Sequence, residues 1–194
     1  MFLKNAVVKL EGVTKSFDDG KKVIDNLDLE VYEKEFLTLL GPSGCGKTTI
    51  LRMISGLESV TSGKVYIDGK DVTEVDAPNR EVNTIFQNLA IFPHMTVFDS
   101  IAYGLKMKHT PQDEINKRVL KTLDLVELEG FEKRMPAQLS GGQLQRVAIA
   151  RGIIMNPKVL LLDESLCSLD LKLKRAMQIE LKKIHSETLT TQTK

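Results

Sequence analysis

The chain has 194 residues, enough for one domain with a buried core. Hydrophobic residues make up 42% of it and charged residues 27%, as in soluble globular proteins, and a net charge of +1 argues against a nucleic-acid partner held by bulk electrostatics. The two cysteines, Cys45 and Cys167, lack metal-ligand spacing and fit a reducing compartment; residues 1–6 turn polar too soon for a signal peptide, and no apolar run reaches a membrane span, so a cytoplasmic protein is expected, touching a membrane only through a partner.

Residues 7–13 alternate loosely and residues 23–31 more cleanly, which predicts two strands of a half-exposed antiparallel layer turning at Asp18-Asp19-Gly20. Phe17 lies at that turn. An aromatic there could stack on a purine, worth about 1–3 kcal/mol, although burial in the core is the more ordinary fate of such a residue.

Residues 35–40 read as a buried strand, and the sequence Gly41-Pro42-Ser43-Gly44-Cys45-Gly46-Lys47-Thr48 follows it, fitting G-x-x-x-x-G-K-[ST] at every fixed position. Thr49 then opens a helix. A strand, a glycine turn and a helix N-terminus form an anion cradle, because bare N–H groups and the helix dipole both favour negative charge. Side chains in place of the glycines would block the turn and the approach of phosphate oxygens. Lys47 is expected to reach β/γ-phosphates and the Thr48 hydroxyl to ligate Mg²⁺, so the chain reads as a binder of a nucleoside triphosphate.

Residues 62–69 predict a strand ending in a turn, and residues 82–86 another that ends at Gln87. A polar amide at the carboxyl end of a buried strand suits a metal or water contact, but Gln87 reads equally well as a loop residue. From residue 93 to 137 the pattern is helical. Thr110 is placed as an N-cap, Pro111 at N1 and Asp113 in the first turn, with Ile115, Val119, Leu123 and Val126 as a core stripe.

Leu139-Ser140-Gly141-Gly142-Gln143 precedes another helix. Ser140 and Gln143 match a capping box, but Gly141 and Gly142 in a first turn cost about 1 kcal/mol each against alanine and make better sense if their N–H groups face a phosphate. Residues 158–162 form an apolar run, read as a strand buried on both faces of a parallel sheet and ending in Asp163-Glu164. Carboxylates at such a strand end need a cation or a proton nearby. Asp163 can hold Mg²⁺ through water and Glu164 can polarise an attacking water. Ser168-Leu169-Asp170 leads into a last predicted helix that runs to about Ser186.

Together, G-P-S-G-C-G-K-T, L-S-G-G-Q and V-L-L-L-D-E, in this order, resemble the ATP-binding subunits of ABC transporters, over residues 7–186. The resemblance implies an α/β fold: a phosphate-loop ATPase (RecA-like) core with an N-terminal antiparallel β subdomain and an inserted helical subdomain. The chain would be one nucleotide-binding domain, with residues 1–87 and 157–187 as core and β subdomain, 88–156 as the helical signature subdomain and 188–194 as a tail. It also implies roles. Phe17 falls on the adenine-stacking aromatic, Gly41 to Thr49 (Gly41, Pro42, Ser43, Gly44, Cys45, Gly46, Lys47, Thr48, Thr49) on the phosphate loop, and Gln87 on the glutamine that touches Mg²⁺ and the attacking water. Ser140, Gly141, Gly142 and Gln143 match the signature, Asp163 the magnesium aspartate, Glu164 the catalytic glutamate and Asp170 the D-loop aspartate. The implied ligands are ATP and Mg²⁺. The implied assembly is a head-to-tail homodimer, each ATP lying between one phosphate loop and the partner's signature, on the inner face of the cell membrane. Membrane subunits would be met near residues 87–98 and, through them, a solute-binding protein; no nucleic acid is implied.

Within that family, residues 36–40, 82–87, 92–98 and 163–166 resemble the ATPases of spermidine/putrescine importers, while importers of sugars, iron or anions share most of the motifs. Leu89 and Leu144 replace a usual aromatic and a usual glutamine and are expected to expose extra apolar surface. Family members continue beyond the last helix into a strand carrying a switch histidine. Here His185 falls on the helix, and His94 and His109 lie elsewhere. The expectation is a C-terminally truncated domain whose sheet lacks that strand, through a frameshift near residues 187–189, and which also lacks a terminal regulatory domain. Unpaired buried backbone groups cost about 1–3 kcal/mol each, against a total stability of about 5–15 kcal/mol, so impaired turnover is the alternative to an active importer ATPase. A third reading, an ABC-type ATPase of DNA repair or the ribosome, fits the neutral charge and residues 87–98 less well.

Overall fold

The computed structural model describes residues 6–17, 20–33, 35, 37–86 and 89–163. They fall in two units, Met1–Asn83 and Thr84–Lys194, each taken by itself below. In the first unit β1 (Ala6–Ser16), β2 (Lys22–Tyr32), β3 (Ser62–Ile67) and β4 (Lys70–Asp71) form an antiparallel sheet in the order β2-β1-β3-β4. The two strands expected at the start are therefore present, and β1 is central to the sheet.

The loose alternation of β1 has a physical cause. Val8 and Leu10 are buried, and then so are Val13 and Lys15, so the inward parity changes between residues 10 and 13. The register with β2 slips there: Leu10 pairs with Leu29 and Val13 with Leu27, leaving Glu11 and Gly12 opposite Asp28 alone. This is a β-bulge. Gly12 takes a left-handed φ of +56° and its N–H donates to Asp28 Oδ1 at 2.8 Å. The inserted residue sends Lys15 to the buried face.

Residues 37–40 are not in a strand, contrary to expectation, and Leu40 is 88% exposed. An apolar run becomes a strand only when a neighbour pairs with its N–H and C=O groups, and no sheet among the described residues takes it up. Helix α1 (Lys47–Ser55) follows the phosphate loop, buries Met53 and Ile54, and ends in a left-handed Gly56 whose N–H bonds back into the last turn.

In the second unit α2 (Val97–Met107), α3 (Gln112–Leu125) and α4 (Gly141–Ile153) enclose one core. The stripe Ile115, Val119, Leu123 and Val126 is buried in it as expected. The start of α3 differs by one residue: Pro111 is the N-cap, without a side-chain bond, rather than N1. β5 (Val82–Ile85) and β6 (Val159–Leu162) pair as a two-stranded sheet. The expectation that β6 is buried on both faces is corrected, since only Leu161 is buried and its neighbours are half-buried. Nor does Leu89 add exposed apolar surface; it is half-buried against the helical core, and Leu144 is half-buried too.

The N-terminus of α2 is closed by Thr96, whose Oγ1 accepts from Asp99 N at 3.1 Å and donates to the Asp99 carboxylate at 2.7 Å. Lys106 also reaches Asp99 at 2.7 Å, and that bond, then Thr96, holds the Asp99 carboxyl below its ordinary range. Thr96→Ala is expected to lower stability by about 1 kcal/mol, read by chemical denaturation. The Asp99 contribution is fully present above the ordinary aspartate range. The gap between parent and Asp99→Asn should therefore narrow as pH falls through the depressed pKa.

Candidate nucleotide site

The phosphate loop closes on Gly46, the N-cap of α1, at φ +94°. A Cβ at Gly46 would lie 2.6 Å from Ile24 Cδ1 and 3.4 Å from the Val23 carbonyl. Both the left-handed backbone and the close approach to β2 thus demand glycine. Gly44 is also left-handed, at φ +80°, but has nothing within 4 Å of its Cβ position, so its bareness faces open space. Residues 41–45 are exposed, including Cys45. Lys47 arches back over the loop, its Nζ donating to Gly41 O at 2.8 Å and Pro42 O at 2.9 Å, with Cys45 Sγ at 3.7 Å. The ammonium therefore sits on the loop's own carbonyls, where an anion above the loop would compete for it. Thr48 and Thr49 are half-buried in the first turn of α1.

Phe17, more ordinarily a core residue, is 43% exposed. It ends β1 and is held by a tight turn in which Gly20 N donates to Phe17 O at 2.8 Å. Lys15 Nζ lies 5.1 Å from the centre of its ring, and Lys15 is itself fixed by Glu58 at 2.7 Å and Ser59 O at 2.8 Å. The ring is thus backed by a cation on a strand that the bulge has turned inward. Sequence reading missed Lys15; Gly12 inside a strand pattern was the available signal for a bulge.

In the second unit Ser140 caps α4. Its Oγ accepts from Gln143 N at 3.3 Å while Gln143 Oε1 accepts from Ser140 N at 2.9 Å. The capping box is therefore real, and it leaves Gly141 unexplained. Among the described residues a Cβ on Gly141 would meet nothing within 4 Å, and its backbone is not left-handed, so neither their packing nor the local conformation requires glycine there. Further along α4, Arg151 donates to Ala90 O at 2.5 Å and lies 4.5 Å over the Phe92 ring, which packs on Tyr103. Burial pulls the Arg151 guanidinium below its ordinary pKa. Leu89 and Ala90 are both left-handed, so the chain turns sharply at these two residues and is tied there to α4 through Arg151.

Asp163 closes β6, with its N–H donating to Ile85 O at 3.0 Å. Gln87, Glu164 and Asp170 lie outside the described residues, as do Cys167, His185 and the tail. Phe17 and the phosphate loop belong to the first unit, whereas Ser140, Gly141, Gly142, Gln143 and Asp163 belong to the second. No helix among the described residues is long and apolar enough to cross a membrane.

A family profile described as "ABC transporter" matches residues 24–166. The protein described as "Spermidine/putrescine import ATP-binding protein PotA" of Vibrio parahaemolyticus serotype O3:K6 is 58% identical over 181 residues, covering 93% of this chain and 48% of that protein. Its namesake in Escherichia coli (strain K12) is 59% identical over 176 residues, covering 91% and 46%. The chain thus spans about half the length of the curated relatives it matches. Among solved structures, cbiO1 from Clostridium perfringens, part of the ABC transporter complex cbiONQ, superposes with a TM-score of 0.86 at 27% identity, over 95% of this chain and 75% of that one. MJ0796, described as a bacterial ABC transporter cassette in its dimeric structure, gives 0.81 at 35% identity, over 93% and 84%.

The two glycines make opposite predictions. Gly46→Ala should destabilise the protein by at least about 1–2 kcal/mol, from the left-handed backbone alone. Gly141→Ala should be neutral or stabilising, by up to about 1 kcal/mol. Thermal melts of the two variants in parallel test this, and a destabilising Gly141→Ala would mean that its role lies inside the chain.

Proposed function

The chain belongs to the ABC transporter family, matched over residues 24–166, and from that premise we propose that it is the ATP-binding and ATP-hydrolysing subunit of an importer. Polyamine, spermidine or putrescine, is the solute class favoured by the relatives at 58% and 59% identity. The observation that carries the reading is the phosphate loop: left-handed Gly44, exposed to solvent, and left-handed Gly46, pressed against β2, turn the chain into a helix N-terminus beside Lys47.

In this reading the loop N–H groups and the dipole of α1 hold the phosphates, and Lys47 exchanges its two carbonyl partners for β/γ-phosphate oxygens, a stronger charge-assisted contact. Phe17 offers its open face to the base. Thr48, Gln87 and Asp163 would hold Mg²⁺, which supplies charge neutralisation across the β- and γ-phosphates. Glu164 polarises the attacking water, and Gln87 orients it. Ser140, Gly141, Gly142 and Gln143 serve the ATP of a second copy in a head-to-tail dimer. The open space around Gly141 supports this, since no described residue has a use for its bareness. Membrane subunits meet the folded segment after Gln87, a solute-binding protein acts through them, and the chain lies on the inner face of the membrane. A second reading, a nucleotide binder that turns over poorly, is favoured by one observation: residues 37–40, which feed the loop, are unpaired in any sheet among the described residues.

Thermal stabilisation by ATP with and without Mg²⁺ is the deciding measurement. At ATP a hundredfold above Kd the melt should shift by the equivalent of about 2.7 kcal/mol, and a transition indifferent to ATP would refute nucleotide binding. Lys47→Ala should abolish the shift. Glu164→Gln should retain binding, accumulate an ATP-bound dimer and stop hydrolysis; a loss of binding as deep as that of Lys47→Ala would mean that Glu164 has another role. Parent chain that binds ATP but releases no phosphate would favour the second reading.

A further inference from the structure

We propose that Arg80 is a positioning residue for nucleotide binding, locking the far end of α1 so that its near end presents the phosphate loop in one orientation. The inference rests on the nucleotide reading above and extends it to a residue outside every motif.

Arg80 is 8% exposed, and its guanidinium spends its donors on main-chain carbonyls. Nη1 donates to Met53 O at 2.7 Å and Ile54 O at 3.0 Å, in the last turn of α1. Nε donates to Val75 O at 2.7 Å and Nη2 to Thr73 O at 3.2 Å, in the turn after β4. One planar fork thus ties the end of the helix to the edge of the sheet, with directions that a point charge could not fix. The backbone makes room for it. A Cβ on Gly56, which caps α1 at φ +77°, would lie 2.6 Å from Arg80 Nε and 2.8 Å from Cζ.

A buried cation satisfied by carbonyls is an expensive way to fill space. Burial pulls its pKa below the ordinary value, while Asp76 and Glu74 pull it back. What the arrangement gains is direction, together with a positive charge at the negative end of the helix dipole. Just beyond Gly56, Lys15 grips Glu58 and Ser59 O as a second fastening. At the other end of the helix Gly46 rests on Ile24 of β2. A helix of nine residues is about 13 Å long, so freeing its far end to tilt by about 5° would turn the first-turn N–H groups by the same angle and shift the two ends relative to one another by about 1 Å. Misplacement on that scale is enough to weaken contacts whose strength depends on alignment.

The test is titration of Arg80→Lys and Arg80→Ala with mant-ATP, and competition by AMP, beside melts that fix the folded fraction; Lys47→Ala is the reference. Arg80→Lys keeps the charge and loses the fork. At equal folded fraction its Kd for mant-ATP is expected to rise about tenfold, and more in Arg80→Ala. AMP, which does not engage the β/γ part of the loop, should compete as it does in the parent. An unchanged mant-ATP Kd in folded Arg80→Lys overturns the inference, however far the melt has moved. So does an equal weakening of ATP and AMP, or a failure of Arg80→Lys to fold. Unchanged mant-ATP affinity in Lys47→Ala would instead overturn the nucleotide site itself, so the two failures are distinguishable.

Discussion

Gly46 holds a left-handed backbone at φ +94° with its Cα turned onto Ile24 of β2, and this contact sets where the first turn of α1 begins. The rest of the first unit serves that contact. β2 can present Ile24 because it is paired along its length with β1. At the opposite end of α1, Met53 and Ile54 give their carbonyls to Arg80 rather than to solvent. A short isolated helix is marginal in water. This one is therefore ordered by what touches its two ends, and the chemistry of the loop inherits that order.

The second unit meets a related problem differently. The N-terminus of α4 is closed by reciprocal bonds between Ser140 and Gln143, so its orphan donors are partly satisfied within the chain. Gly141 is left bare with space around it. In the phosphate loop the glycine at position 46 is demanded by its neighbours in β2; the glycine at position 141 answers to none of the described residues. That asymmetry is what the proposed half-site would require, and the family of the chain includes a cassette solved as a dimer.

Much of the site was legible because its chemistry is local. A glycine turn, a lysine and a hydroxyl in an eight-residue frame need only one strand-to-loop-to-helix turn to act, and Ser140 with Gln143 need only the first turn of a helix. The misreadings were all questions of neighbours. Phe17 reads as a core residue because an aromatic at a strand end ordinarily packs, but it is exposed and meets Lys15, whose inward turn follows from the bulge at Gly12. Residues 37–40 have the composition of a strand, but composition supplies no partner. Leu89 read as a loose apolar residue, yet it packs on helices that lie well beyond it in the chain.

The sequence by itself determined the glycine frame that leads into α1 and the capping box at Ser140, because a motif depends on residue identity and short spacing. It also determined the amphipathic stripe of α3, since a period of 3.6 is a property of the chain alone. Tertiary structure decided the rest: the parity of β1 beyond Gly12, the burial of Lys15 and Arg80 among main-chain carbonyls, and the contact of Gly46 with Ile24. Each of these depends on residues distant in the chain: Val13 with Leu27, Lys15 with Glu58, Arg80 with Met53 and Gly46 with Ile24. Such a contact forms only if the packing around it outweighs the entropy of closing the intervening loop, and no local pattern records that balance.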